Sequence, residues 1–150
     1  MEKHKCFASI LYSFGNLDLS ILLENISCAE YIILSKIEEY ISKNDVEYIH
    51  VTKLSEELKV STPAVSRILK GLENKKMINR TIDIFCKRNT RVRLTNEGKN
   101  KLEYCHKNLD NFFNEVFSEI SQEEQQDIID TFNNVYTRMY VNLQKYKGVM

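Results

Sequence analysis

Hydrophobic residues recur along most of this chain at intervals of three and four positions, the spacing of one face of an α-helix. In the first half of the chain this spacing predicts helices over about residues 5–14, 28–42, 53–58 and 61–74. Two longer helices are predicted within residues 96–147. Ser27 with Glu30 and Ser121 with Glu124 have the spacing of a capping box, which predicts helix N-termini there. One proline and four glycines leave few interruptions to these helices. The pattern therefore predicts a mainly α protein.

The predicted helices over 53–58 and 61–74 are separated by a turn of two residues. Thr52 and Ser61 are expected to cap their N-termini, and Pro63 falls in a first turn, where its missing N–H costs no hydrogen bond. The second helix has an apolar stripe opposite a small polar and basic face. The stripe contains Val65, Ile68, Leu69 and Leu72, and the opposite face contains Thr62, Ser66, Arg67 and Lys70. Two such helices are typical of a helix-turn-helix.

After residue 77 the hydrophobic spacing changes to every second residue, which is the spacing of a β-strand. Residues 78–84 and 90–94 both alternate in this way and predict the two strands of a hairpin. Lys87, Arg88 and Asn89 are expected at its tip. A hairpin with a basic tip directly after a recognition helix is a wing. The predicted fold class is therefore α with a small β-wing, a winged helix-turn-helix.

The terminal helices carry more apolar surface than a small head can cover. The aromatic residues of this surface are Phe112, Phe113, Phe117, Phe132, Tyr136 and Tyr140. A surface of this kind is expected to bury against another chain. We therefore predict a winged-helix head at about 28–95 and dimerisation helices at about 1–24 and 96–147. The alternative is that both long helices fold onto their own head and form a larger monomeric core.

The charges of the chain cancel overall but are unevenly distributed. The chain contains 21 basic and 21 acidic residues. Residues 51–95 contain eleven basic and four acidic residues, so this segment carries an excess of seven positive charges and the rest of the chain seven negative charges. A basic segment on an acidic scaffold favours a polyanionic partner such as DNA. A chance cluster of surface lysines is the alternative interpretation.

Other functional classes find little support in the sequence. There is no glycine-rich phosphate loop and no nucleophile elbow, so we expect neither an enzyme nor a cofactor. Four widely spaced cysteines and three scattered histidines indicate no disulfide scaffold and no metal site. The apolar run over residues 6–14 is too short to span a membrane and lacks a cleavage site. We expect a cytoplasmic protein without membrane association.

The motifs together resemble those of the multiple-antibiotic-resistance regulator (MarR) family of bacterial winged-helix repressors. The similarity covers residues 60–69 (VSTPAVSRIL), 72–80 (LENKKMINR), the pair Lys87-Arg88, and residues 92–98 (VRLTNEG). The Leu-Thr-x-x-Gly sequence in the last of these is the most specific part. The order of the elements fits from about residue 28 to the C-terminus.

Two positions depart from the family pattern. Met77 stands where the family usually has glycine, so the turn into the wing is expected to differ in shape. Cys86 replaces the aspartate of the usual Asp-Arg-Arg sequence in the wing, where the acid would orient an arginine. Asp83 could take over this role in part.

The resemblance implies a homodimeric, sequence-specific transcriptional regulator, in the first place a repressor, that binds double-stranded DNA at a pseudo-palindromic operator. Helix 61–74 would lie in the major groove and the wing over 78–94 in the minor groove. Residues expected at base edges or adjacent sugars are Thr62, Pro63, Ser66 and Arg67. Residues expected to neutralise phosphates are Lys53, Lys70, Lys75 and Arg80, and a solvated structural role is the alternative for Lys75. Arg88 would enter the minor groove, helped by Lys87.

The resemblance also implies a small aromatic or lipophilic effector between the dimerisation helices and the head. Tyr12, Phe14, Tyr31 and Tyr104 could line its pocket, although aromatic residues at helical spacing are also typical of core packing. A thiol switch at Cys6 is a second option, because a peroxide-sensing branch of the family has its reactive cysteine in the first helix. A winged-helix interaction module that does not bind DNA is a further alternative.

Overall fold

The computed structural model describes residues 3–86 and 89–147. Its helices are α1 (Lys3–Gly15), α2 (Cys28–Asn44), α3 (Val51–Leu58), α4 (Thr62–Asn74), α5 (Asn96–Val116) and α6 (Gln122–Lys147). Its strands are β1 (Ile49–His50), β2 (Ile78–Ile82) and β3 (Thr90–Leu94), and a short 3₁₀ helix covers Leu19–Leu22. The prediction of a mainly α fold with a small β-wing is confirmed.

Two of the long helices begin at the capping boxes that the sequence indicates. The Ser27 hydroxyl accepts a hydrogen bond from the Glu30 backbone N–H at 3.2 Å, and the Glu30 carboxylate accepts one from the Ser27 N–H at 2.8 Å. Ser121 and Glu124 form the same reciprocal pair before α6, at 3.3 and 3.1 Å. Each pair satisfies backbone N–H groups that have no partner inside the helix.

The caps of the two central helices differ from the prediction. His50, not Thr52, is the N-cap of α3, because the chain passes directly from β1 into the helix. Ser61 is the N-cap residue of α4, but its side chain makes no capping hydrogen bond. Pro63 lies in the first turn of α4, as predicted.

The three strands form one antiparallel sheet in the order β1-β3-β2. Ile49 is opposite Val92, and Ile78 is opposite Leu94. These four side chains are buried. Because side chains alternate between the two faces of a strand, Arg91 and its neighbours at every second position lie on the other face.

The core of the head joins this sheet to α2, α3, α4 and α5. The predicted stripe of α4 is confirmed, since Val65, Leu69 and Leu72 are fully buried and Ile68 packs against them. The other buried residues of the core are Leu23, Ile26, Ile33, Leu34, Ile37, Ile49, Val51, Leu54, Ile78, Val92, Leu94, Leu102 and Cys105. The core therefore fixes α4 through one face and leaves the opposite face to solvent.

A tight joint connects the end of α4, the wing and α5. The Thr95 backbone N–H donates to the Met77 carbonyl at 3.0 Å, and the Thr95 hydroxyl donates to the Lys76 carbonyl at 2.7 Å. The same hydroxyl accepts from the Gly98 N–H at 3.0 Å. A Cβ atom on Gly98 would lie 2.0 Å from the Met77 carbonyl oxygen, so only glycine fits there. The Leu-Thr-x-x-Gly sequence therefore joins the end of the wing to α5 and holds both against the turn at Lys76 and Met77.

The turn before β2 lies where the sequence departs from the family pattern. The residue in the left-handed conformation is Lys76, with φ of 59°, and not Met77. The Lys76 and Met77 N–H groups donate to the carbonyls of Glu73 and Leu72, which closes the end of α4. The position where glycine would be favoured is therefore residue 76.

The chain divides into two compact units, the first extending to Leu109 and the second beginning at Asp110. The first unit contains the head. In the second unit the rings of Phe113 and Phe117 stack with centroids 6.0 Å apart, and the Gln125 side chain donates to the Ile120 carbonyl at 2.8 Å. None of the described residues of α6 is buried within the single chain.

Candidate nucleic-acid interface

The exposed face of α4 contains the residues that the sequence places opposite its apolar stripe. Thr62, Pro63, Arg67 and Lys70 are exposed, and Ser66 is half-buried beside them. Within the described residues, Arg67 and Lys70 form no ion pair, so both charges are available to a partner. The four residues expected to contact DNA bases, and Lys70, which is expected to contact a DNA phosphate, therefore share one face of α4.

The N-terminal end of α4 is fastened to α3 by two hydroxyl groups. Ser55 is buried, and its hydroxyl donates to the Thr52 carbonyl at 2.7 Å. Its oxygen lies 3.0 Å from the Thr62 hydroxyl oxygen. Because the single hydroxyl hydrogen of Ser55 is already used, Thr62 is the donor of this second bond. Thr62 is therefore held in place and keeps its oxygen as a free acceptor at the exposed end of the helix.

The C-terminal end of α4 is fastened to the start of α2. The Lys75 ammonium donates to the Glu30 carboxylate and to the Asn25 carbonyl, both at 2.8 Å. Burial opposes ionisation of Glu30, but the hydrogen bond from Lys75 and that from the Ser27 backbone outweigh it and lower the pKa of Glu30. Lys75, expected at phosphate, is thus already bound to the protein, and Glu30 is a positioning residue that the sequence indicated only as a cap.

Two other basic residues expected at phosphates lie beside carboxylates. The Lys53 ammonium is 3.1 Å from Glu57, and the hydrogen bond between them raises the pKa of Lys53. The Arg80 guanidinium approaches Glu73 at 3.9 Å, and its Nε is buried without a hydrogen-bond partner among the described residues. Because the Nε is buried, only the terminal guanidinium nitrogens of Arg80 can reach a further acceptor.

The wing is braced from inside by Asp83. This carboxylate is 4% exposed and accepts from Arg91 Nε at 2.9 Å and from His50 Nε2 at 2.7 Å. Its other oxygen accepts from the backbone N–H groups of Phe85 at 2.8 Å and Cys86 at 3.2 Å. The hydrogen bond from Arg91, followed by that from His50, holds the pKa of Asp83 well below its usual range. Since an ionised carboxylate only accepts, His50 Nε2 carries the hydrogen.

The short strand β1 supports the same network. The Arg91 guanidinium carbon lies 4.3 Å from the centroid of the Tyr48 ring, and the Tyr48 and His50 rings meet edge to face at 5.3 Å. Sequence reasoning assigned no role to Tyr48 or His50. The feature that could have indicated their role is their position on either side of Ile49, since side chains that flank a buried strand residue lie together on the opposite face. Asp83 orients an arginine, as the sequence suggested, but that arginine is Arg91. The predicted tip residues Lys87 and Arg88 lie outside the described residues.

Arg93 faces away from α4. It lines a surface cleft of about 740 Å³ together with Glu38, Glu47 and Glu97, and no residue of α4 lines this cleft. With Arg91 held inside the wing, the basic side chains from Arg67 to Arg93 do not share one surface. The basic surface is smaller than the charge excess of the segment suggests, because part of that charge is paired.

The four aromatic residues expected around an effector have different surroundings. Tyr12 is 74% exposed on α1, and Phe14 is also exposed there. Tyr31 packs against the core, with its ring edge-on to His106 at 5.7 Å. Tyr104 is exposed on α5. Within the described single chain, three of the four face solvent, and Tyr31 is the one joined to the core.

The cysteines are all free thiols. Cys6 is partly exposed on α1, whereas Cys105 is buried. Burial raises the pKa of the Cys105 thiol, which makes it less reactive. No helix within residues 3–86 and 89–147 is both long and apolar enough to cross a membrane.

A helix-turn-helix with an exposed polar and basic face, followed by a braced β-hairpin, defines a winged-helix DNA-binding protein. A family model described as "Winged helix DNA-binding domain" matches residues 40–113. This range begins in α2 and ends in α5, so it contains the helix-turn-helix, the wing and the joint at Thr95.

Relatives with known names place the chain in a family. It is 30% identical over 141 residues to the uncharacterized HTH-type transcriptional regulator YdgJ of Bacillus subtilis, covering 94% of this chain and 83% of that protein. It is also 30% identical over 110 residues to the HTH-type transcriptional regulator SarZ of Staphylococcus epidermidis, and this match covers 73% of this chain and 69% of SarZ. The chain therefore belongs to the family of HTH-type transcriptional regulators. The expectation of a regulator rather than an enzyme is confirmed.

Solved structures show the same fold. The PcaV transcriptional regulator from Streptomyces coelicolor has a TM-score of 0.73 at 14% identity, covering 91% of this chain and 93% of that chain. The S. aureus MepR–DNA complex has a TM-score of 0.70 at 21% identity, covering 93% and 99%. A mutant MarR from E. coli complexed with operator DNA has a TM-score of 0.69 at 21% identity, covering 85% and 91%. The fold that the resemblance to the MarR family implies is confirmed.

Proposed function

We propose that this regulator acts as a homodimer and represses transcription by binding a pseudo-palindromic operator. Residues 61–74 lie in the major groove and the wing over 78–94 in the minor groove. The observation that carries this proposal is the exposed face of α4, which is fastened at one end by Ser55 and Thr62 and at the other by Glu30 and Lys75. A helix fixed at both ends meets DNA with little loss of entropy. Similarity in fold to MepR and MarR, both solved with DNA, supports it.

Base contacts are proposed for the first two turns of α4. The N-terminus of α4 presents backbone N–H groups and a positive dipole end to a nearby phosphate. Arg67 is the residue best suited to a guanine, since its guanidinium can bond both acceptors of that base, and such a contact contributes about 1–3 kcal/mol of discrimination. The other proposed base or sugar contacts are Thr62, Pro63 and Ser66. Proposed phosphate contacts are Lys53, Lys70 and Arg80, and proposed minor-groove contacts are Lys87 and Arg88.

The terminal helices are proposed to form the dimer, as segments at about 1–24 and 96–147 around a head at about 28–95. The described part of α6 has no buried residue and carries several exposed large apolar side chains. These are Ile129, Phe132, Tyr136, Met139, Val141, Leu143 and Tyr146. A second copy of the chain is the partner that would cover them. A two-fold operator then requires two recognition helices about 34 Å apart.

The test is operator affinity measured against salt concentration, on a duplex selected from a random pool. Each lost phosphate contact should flatten the slope of log affinity against log salt by about one unit. Arg67→Ala should weaken binding to the selected duplex and relax the sequence preference at one position of each half-site. Lys107→Ala, which removes an exposed charge from α5, is the matched control and should change neither quantity. A wild-type protein that binds no duplex would favour the interaction-module alternative.

Release from DNA is proposed to need a small aromatic or lipophilic effector, near Tyr12, Phe14, Tyr31 and Tyr104. Tyr31 is the most informative of these, because it joins the core of the head to His106 on α5. An effector that lowers operator affinity of the wild type, but not of Tyr31→Ala, would support this site. Peroxide treatment tests the other option, since a switch at Cys6 predicts loss of DNA affinity that Cys6→Ser prevents. Such a regulator would act in the cytoplasm.

A further inference from the structure

The wing carries exposed apolar side chains, which contacts with DNA phosphates alone would not require. Phe85 is 93% exposed and Ile84 is 80% exposed. These are the highest exposures of any large hydrophobic residue in the described part of the chain. They are adjacent in sequence and lie where β2 has just ended. Neighbouring apolar side chains with this exposure mark a surface that another molecule covers.

The backbone beneath these side chains is fixed. The Phe85 and Cys86 N–H groups both donate to the buried Asp83 carboxylate, whose other oxygen binds Arg91 and His50. The Phe85 ring is therefore presented to solvent from an anchored backbone and not from an unsupported loop. Binding through an anchored residue loses less conformational entropy than binding through a segment that must first become ordered.

The charge around Phe85 indicates what kind of molecule covers it. Lys87 and Arg88 follow Phe85 in the sequence after one intervening residue, Cys86. Asp83 is the only acidic residue between Glu73 and Glu97, and its charge is taken up by Arg91. An apolar ring within a cationic stretch matches the minor groove of duplex DNA, where deoxyribose walls lie between two rows of phosphates.

We propose that Phe85 enters the minor groove as an apolar wedge that packs against deoxyribose and base edges. The wedge favours flexible pyrimidine–purine steps, which unstack most easily. This inference rests on the proposed function, since the wing must meet the minor groove. It adds a contact of a different physical kind, because a phenyl ring displaces no counterions from DNA.

The salt dependence of binding separates this contact from an ionic one. Phe85→Ala should weaken binding to the selected duplex by about tenfold at every salt concentration while the slope of log affinity against log salt stays unchanged. Phe85→Leu should retain most of the affinity, since it keeps an apolar side chain. An unchanged affinity for Phe85→Ala, or a slope that falls by about one unit as for a lost cation, would overturn the proposal.

A fluorescent reporter tests the position of the ring directly. The chain contains no tryptophan, so Phe85→Trp introduces a single indole. Contact with base edges in the groove should quench its emission, and the walls of the groove should protect it from acrylamide when the duplex is added. Ile32→Trp is the matched control, because Ile32 is 50% exposed on α2, outside the wing and the proposed dimerisation segments, and its emission should not respond to DNA.

The outcomes distinguish failure of the wedge from failure of the proposed function. A wild-type protein that selects no duplex overturns both. A wild type that binds its duplex, with a Phe85→Trp emission that does not change, overturns the wedge alone. Emission that shifts with phosphatidylserine vesicles and not with DNA also overturns it and assigns the apolar wing to an anionic membrane surface.

Discussion

Single residues decide how closely the elements of the head approach one another. The Cα atom of Gly98 is packed against the Met77 carbonyl group. Lys76, the residue before Met77, adopts a left-handed backbone conformation. Both positions belong to the joint that sets where the wing leaves the core. Substitutions at these two positions should therefore change stability in opposite directions.

Gly98→Ala should strongly destabilise the protein. Its Cβ would lie 2.0 Å from the Met77 carbonyl oxygen, and the contact is with backbone that cannot rotate away. We expect a loss of about 3 kcal/mol in the free energy of unfolding, at the upper end for overpacking. Urea denaturation measures it. Gly15→Ala is the control, since nothing lies within 4 Å of the added atom, and it should leave stability unchanged or slightly higher.

Lys76→Gly should stabilise the protein. The left-handed conformation of Lys76, with φ of 59°, is strained for a residue with a Cβ but not for glycine. The expected gain is about 0.5–1 kcal/mol, because relief of this strain exceeds the extra entropy of glycine in the unfolded chain. Lys76→Ala removes the same charge but keeps the Cβ. Stabilisation by alanine as well would show that the lysine side chain, and not its backbone, is the source of the effect.

At the scale of elements, the wing is held by one buried carboxylate that joins β1, β3 and the chain after β2. Asp83 binds His50, Arg91 and two backbone N–H groups at the same time. A two-stranded hairpin is only marginally stable by itself. The network of Asp83 therefore gives the wing a defined shape before any ligand is bound.

Asp83→Asn should loosen the wing and lower the urea midpoint of unfolding at neutral pH. Because the pKa of Asp83 is lowered in the folded protein, its stabilising effect is complete above the pKa of the unfolded chain, about 3.9, and is lost as pH falls towards the folded value. The difference in midpoint between wild type and Asp83→Asn should be constant from pH 8 to 5 and shrink below about pH 4.

Hydrogen exchange supplies the local measurement for the same variant. The Phe85 and Cys86 amides should exchange faster in Asp83→Asn, while amides of the α4 interior should be unaffected at neutral pH. A difference in midpoint that grows as the pH is lowered would contradict the assigned ionisation of Asp83.

At the scale of the whole molecule, the proposed function depends on the pairing of two copies of the chain through their terminal helices. Most of the exposed apolar residues of α6 recur on one side of the helix, whereas Val141 lies on the opposite side. The residues that share the first side are Ile129, Phe132, Tyr136, Met139, Leu143 and Tyr146. Burial of large aromatic side chains of this kind is the dominant favourable term in most association between proteins. Operator binding at two half-sites depends on it.

Phe132→Glu should weaken the dimer, because it introduces a charge into the proposed apolar contact. The sedimentation profile should shift from dimer towards monomer at micromolar concentration, and DNA affinity should fall with it. Asn134→Glu adds the same charge to an exposed position two residues further along α6, on the opposite side of the helix, and should leave the dimer intact. Equal effects of the two substitutions would argue against a dimer contact through Phe132.

Much of the fold was predictable because it depends on local patterns. The apolar stripe of α4, the capping boxes at Ser27 and Ser121, and the change to a period of two at the wing are each written in a few neighbouring residues. The caps of α3 and α4 were predicted less well. A serine or threonine before a helix only permits a cap, and the path of the chain out of β1 decides whether it forms.

The sequence by itself determined the class of protein, since helical periods, a strand period and a charge excess are sums over local residue types. The tertiary structure alone decided which of those charges are available. It paired Lys75 with Glu30 and Arg91 with Asp83, and placed Arg93 beside three glutamates in a cleft. These partners are up to 45 positions apart, and a sequence pattern carries no information about which distant charge lies within 3 Å. Only folding, which brings such pairs together, separates the residues that hold the head from those that remain to meet DNA.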